Sequence, residues 1–147
     1  NMKAIWTLAL AAVIGTAGIL PTAVQADDAA PKVVYHLDNA QQNGLKALRN
    51  MRNHLNTVPE TDIVLVMHSR GVDLMMEGAK HEKSGAAFAP LIADLKARGV
   101  DFQVCEITLQ RRNLSKDQFV LETNFTPSGV VALTDLQLKE GRAYIKP

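Results

Sequence analysis

The chain has 147 residues and a single cysteine, Cys105. One cysteine excludes an intramolecular disulfide and any Cys-x-x-Cys redox pair, so thiol chemistry here needs an external partner. Charge of one sign is also missing: 16 Lys and Arg stand against 15 Asp and Glu. With no basic excess to neutralise a phosphate backbone, nucleic acid is not an expected partner. The same balance leaves self-association unopposed by charge repulsion. No Gly-x-Gly-x-x-Gly fingerprint and no Walker loop occurs, which removes the usual nucleotide cradles. His68-Ser69-Arg70-Gly71 lacks the flanking glycine of a nucleophile elbow, so no serine nucleophile is indicated. No cofactor is implied. Internal repeats and low-complexity segments are absent from the sequence.

What is present begins with an apolar N-terminal segment. Lys3 precedes Ala4 to Leu20, Pro21 breaks the run, and Val24-Gln25-Ala26 supplies small residues. That is the layout of a secretory signal peptide. The competing reading is a retained membrane anchor, since the run lies near the lower length limit for spanning a bilayer. The Pro21 break and the small-residue exit favour cleavage after Ala26. Residues 1–26 are then the signal, and 27–147 form a single domain, periplasmic or secreted, with no stable membrane insertion. A domain of that size buries one two- or three-layer core. In an oxidising compartment a lone thiol is either protected by burial or kept for its reactivity.

The rest of the sequence alternates strands and helices. Lys32 to Leu37 is a β-branched and aromatic run, a first strand, after which Asp38 and Asn39 offer N-cap oxygens. Leu45, Leu48, Met51 and Leu55 recur at helical spacing until Pro59. Asp62 to His68 is continuously apolar in its middle, as in a parallel strand buried on both faces. Ser69-Arg70-Gly71 reads as a turn, Val72 to Glu77 as a short helix, and His81 to Gly85 as a loop. Ala86 to Arg98 is a second amphipathic helix stopped by Gly99. Val100 to Cys105 is a third strand, and Glu106 to Asn113 extends beyond it. Ser115 is placed as an N-cap, Phe119 to Thr126 as a short fourth strand, and Pro127-Ser128-Gly129 as the opening of a last helix ended by Gly141. Arg142 to Lys146 closes the sequence as a strand. The expected architecture is three-layer α/β: a mostly parallel sheet of about five strands with helices on both faces.

Three reactive side chains end three of these strands: His36, His68 and Cys105. In a parallel sheet such ends share one edge, where ligands bind. A charged imidazole or a helix N-terminus beside a thiol stabilises the thiolate, which is the nucleophile. The helix at Ser115 or the one at Pro127 is placed to give that support. Arg111 and Arg112 follow Cys105 closely and could hold an anionic sulfur donor such as a polysulfide or thiosulfate. Blander readings stand beside these. A free cysteine often serves as a small buried apolar residue, the histidines can be structural, and the arginine pair can be a solvated one. A two-histidine, one-thiolate metal site from His36, His68 and Cys105 lacks any local ligand spacing, and no metal is expected. His54 and His81 are assigned no role.

Ala97 to Cys105, Thr126-Pro127-Ser128-Gly129-Val130-Val131 and the ending Gly141 to Pro147 together resemble the DsrE/DsrF-like family. Val33 to Leu37 and the strand ending in His68 are similar as well, so the resemblance covers nearly all of residues 27–147. It implies a compact α/β fold around a parallel sheet, assembly into homo-oligomers (trimers or hexamers), and a role in sulfur metabolism. Relatives of the DsrE and TusD type carry sulfur as a persulfide on a cysteine, a role that falls on Cys105. Those relatives are cytoplasmic, whereas this sequence starts with an export signal, so the sulfur donor and acceptor are unknown. The sequence therefore reads first as an exported sulfur carrier or sulfurtransferase. Its alternative is a non-catalytic small-ligand-binding or oligomer-assembly module with an inert, buried Cys105.

Overall fold

A computed structural model describes residues 29–147. The expected signal segment lies outside the described residues. Five strands form one sheet: β1 (Lys32–Asn39), β2 (Asp62–Arg70), β3 (Asp101–Cys105), β4 (Thr123–Thr126) and β5 (Ala143–Ile145). Four helices connect or flank them: α1 (Ala40–Thr57), α2 (Ala89–Ala97), α3 (Glu106–Arg112) and α4 (Gly129–Leu138). The strand order is β4-β3-β2-β1-β5, with every neighbouring pair parallel. The chain steps outward from β1 to β4 and then returns to place β5 on the far side of β1. The order thus reverses at β1, the position where open α/β sheets bind ligands.

Side-chain alternation divides the sheet into two faces. Val33, Tyr35 and Leu37 of β1, Ile63, Leu65 and Met67 of β2, and Phe102 and Val104 of β3 join one large core. Ala47, Leu48, Met51 and Leu55 of α1 and Ile92 and Leu95 of α2 cover it. The opposite face carries Val34, Val64 and Val66, packed against Leu133 and Leu136 of α4. Helices therefore lie on both faces, as expected, but unequally. Helix α4 is apolar on its outer side too: Val130, Val131 and Leu138 are exposed.

Local chemistry sets the element boundaries. The Asn39 side-chain oxygen accepts from the N–H groups of Gln41 and Gln42, both at 3.1 Å, and starts α1. Helix α2 begins at Ala89 rather than Ala86, with Pro90 in the first turn where its missing N–H costs nothing. Strand β2 runs on to Arg70, and Gly71–Met75 forms a 3-10 turn. Gly71 is there because a Cβ at this position would run into the carbonyl of Leu37. Gly71→Ala should therefore cost about 3 kcal/mol or more, since the backbone of β1 cannot give way. Chemical denaturation checks this, and an unchanged midpoint would refute it.

The largest departure from the sequence reading is α3. Glu106 to Arg112 is helical, not an extension of the strand. Cys105 is both the last residue of β3 and the N-cap of α3. The segment at Ser115 is only a 3-10 turn, Lys116–Gln118.

Candidate functional site

The site grows from the way β3 ends. Met67 pairs with Val104 across β2 and β3, so the next residues, His68 and Cys105, lie side by side on neighbouring strands. Helix α4 closes over them. Ser128 caps α4, and Gly129 is its first residue. A Cβ on Gly129 would lie 3.2 Å from the Cys105 Cβ and 3.3 Å from the His68 Cβ. The missing side chain lets the α4 N-terminus approach the sulfur.

Cys105 is 4% exposed. Burial pushes its thiol pKa up. The N–H groups of Gly129, Thr108 and Ile107, with the Thr108 hydroxyl, more than offset that and hold the pKa below the ordinary thiol value. The sulfur thus faces the first turns of two helices, α3 and α4, whose N–H groups have no partner within their own helix. These donors favour the thiolate, which accepts hydrogen bonds more strongly than the thiol. The Thr108 hydroxyl also accepts from the Ser69 N–H at 3.0 Å. Its own proton is thereby free to point at sulfur. Ser69 has a φ of 53°, a left-handed conformation uncommon for a residue with a side chain.

A cavity of about 170 Å³ opens beside Cys105, bordered by His68, Ser69, Thr108, Arg111 and Ser128. Arg111 is therefore at the cysteine. Arg112 is not: its Nη1 forms an ion pair with Asp73 Oδ1 at 2.7 Å and donates to the Ser69 carbonyl at 3.1 Å. It borders a separate crevice of about 870 Å³ with Arg70 and Lys80. Consecutive residues on a helix point about 100° apart, which divides this pair between two cavities.

His36 and His68 meet, Nε2 to Nε2, at 2.7 Å. His36 Nδ1 contacts the Tyr144 hydroxyl at 2.7 Å, and His68 Nδ1 contacts Ser69 Oγ at 2.9 Å. Burial lowers the pKa of both rings. For His36, burial, Lys146 and His68 bring it to about 4, against the weaker opposing pull of Asp38. Both rings are neutral near pH 7. Neither ring nitrogen of His68 is free for the sulfur, and backbone donors rather than an imidazolium hold down the Cys105 pKa. Among the described residues no cluster of three or more His, Cys, Asp or Glu side chains is placed to hold a metal. The three-ligand arrangement of His36, His68 and Cys105 is not formed.

Sequence reasoning placed Cys105, His36, His68 and the Pro127 helix at one edge. It missed Thr108, Gly129 and Tyr144. A helix-stop signal was available: Asn113, which takes a left-handed conformation, follows Arg111 and Arg112 in the last turn.

The fold has solved counterparts. MTH1491 of Methanobacterium thermoautotrophicum, described as a protein of unknown function, superposes with a TM-score of 0.70 at 26% identity. The match covers 80% of this chain and 99% of that one. The ychN protein of E. coli superposes with a TM-score of 0.67 at 17% identity, again over 80% and 99% of the two chains. None of the functionally curated proteins matches the sequence. The model of the DsrE/DsrF-like family matches residues 32–147, from the first strand through the Cys105 pocket to the last residue, and the chain belongs to that family.

Proposed function

We propose that this protein binds or transfers sulfur, carrying sulfane sulfur as a persulfide on Cys105. The observation that carries the reading is the nest around the thiol: three backbone N–H groups and one hydroxyl favour the anion. Family membership supports a sulfur-handling role. The Cys105 thiolate attacks the sulfane sulfur of a polysulfide or thiosulfate. A new S–S bond forms, the donor S–S bond breaks, and the shortened polysulfide or sulfite departs with the electron pair. An acceptor thiolate then takes the outer sulfur, and Cys105 leaves as the thiolate its donors stabilise. Arg111 borders the cavity and offers the anionic donor a charge partner. His68 and His36 hold Ser69 at the cavity wall.

Intact mass of the reduced protein after polysulfide treatment tests this. One added sulfur, about 32 Da, supports a persulfide; an unchanged mass overturns it. A second reading has its own observation. Cys105 is 4% exposed, as an inert residue in a ligand-binding or assembly module would be. A thiol that resists both sulfur and alkylation would establish that module instead.

The proposal includes export to the periplasm or beyond, supported by residues 1–26 of the sequence. It also includes a homo-oligomer, supported by the exposed Val130, Val131 and Leu138 on α4. Light scattering reads the latter directly, and a monomer at working concentration would reject it.

A further inference from the structure

His36 and His68 come from different strands, yet their Nε2 atoms stand 2.7 Å apart. The ring centroids are 4.8 Å apart, close to the largest separation that such a contact allows. The two nitrogens therefore face each other head-on. Both outer nitrogens are anchored on hydroxyls, His36 Nδ1 on Tyr144 and His68 Nδ1 on Ser69. A hydroxyl donates or accepts as required, so either Nδ1 can carry a hydrogen. Metal-binding histidines are held this way: the inner nitrogens converge and outer partners fix the rings.

We propose that His36 and His68 bind one copper(I) ion between their Nε2 atoms, in a two-coordinate site separate from the sulfur on Cys105. Imidazole suits zinc, copper, iron and nickel, but iron and nickel sites take three or more ligands, and magnesium and calcium prefer oxygen. Zinc sites use three or four protein ligands, and among the described residues no such cluster stands ready. Two nitrogens facing each other in line match the linear preference of a monovalent d10 ion. With metal–nitrogen bonds of about 2 Å, the nitrogens must part to about 4 Å, so each ring withdraws by roughly 0.6 Å.

Proton balance favours the step. Without metal, the short contact requires one Nε2–H donating to the other, bare Nε2. When the ion enters, that ring exchanges its Nε2–H for an Nδ1–H, and its hydroxyl partner turns from donor to acceptor. Two nitrogen–copper bonds form, no net proton is released, and no electron is transferred, because copper arrives already reduced.

The test is anaerobic titration of the full-length reduced protein with copper(I) against a chromophoric copper(I) chelator. One equivalent per chain is expected. His36→Gln and His68→Gln should each lose that equivalent, Tyr144→Phe should weaken it by roughly tenfold, and Cys105→Ser should keep it. Nitrogen-15 spectra of the wild type, which need no variant, should show both Nδ1 atoms protonated once copper is bound. Failure to compete with the chelator, with one Nε2 still protonated, would overturn the site and leave a pair that shares a proton. Loss of copper in Cys105→Ser would overturn the two-imidazole assignment in favour of a thiolate ligand. One equivalent of zinc(II) retained through dialysis in place of copper would overturn the choice of ion. Sulfur loading is read separately by mass, so either assignment can fail without the other.

Discussion

Cys105→Ser gains no sulfur from polysulfide, where the wild type gains about 32 Da. The expected effect is complete loss, because this is the only thiol in the chain. The fold should survive. Cys105 is the N-cap of α3, and serine is a better N-cap than cysteine. The same Gly129, Thr108 and Ile107 N–H groups that face the sulfur would face the serine oxygen. Stability should stay within about 1 kcal/mol of the wild type. Mass spectrometry and a thermal melt on the same sample separate chemistry from folding. A folded serine variant that still takes up sulfur would remove Cys105 from the mechanism.

Thr108→Val gives the second large effect. Valine keeps the shape and removes the hydroxyl, which helps hold the Cys105 pKa below its ordinary value. A hydrogen bond to a charged group contributes about 1.5–3 kcal/mol, so alkylation near pH 7 should slow by roughly tenfold. The sign follows from the thiolate being the reactive form. In the wild type the rate should reach its plateau at lower pH than for an ordinary thiol. In Thr108→Val the whole profile should move to higher pH, with the plateau rate retained. The variant also leaves the Ser69 N–H without its acceptor, at a stability cost of about 1–3 kcal/mol. Iodoacetamide rates across a pH series check the shift. A profile that stays in place would show that the backbone donors alone set the thiol.

The two positioning groups behind these effects, Thr108 and Gly129, were not legible as site residues from the sequence. Helix α3 has seven residues, too few to show a helical period, so Thr108 looked like part of an extended segment. Gly129 read as part of a helix opening. Its use is visible only where α4 comes down on Cys105 and His68.

Read along the chain, the residues gave the alternation of strands and helices, the parallel sheet and Cys105 as the end of β3; β1 and β2 run past His36 and His68, to Asn39 and Arg70. Those features rest on apolar periodicity and turn chemistry, which are local. The continuous run of β2 could be satisfied only by burial on both faces. Tertiary structure alone decided which neighbours those side chains meet. Strand order placed β1 beside β2 and β5, and so put His36 between His68 and Tyr144. The phase of α3 sent Arg111 to the cysteine and Arg112 to Asp73. The reason is physical: local sequence fixes where a side chain lies along its own strand or helix. The partner across the sheet is set by long-range packing, and no spacing within one segment records it.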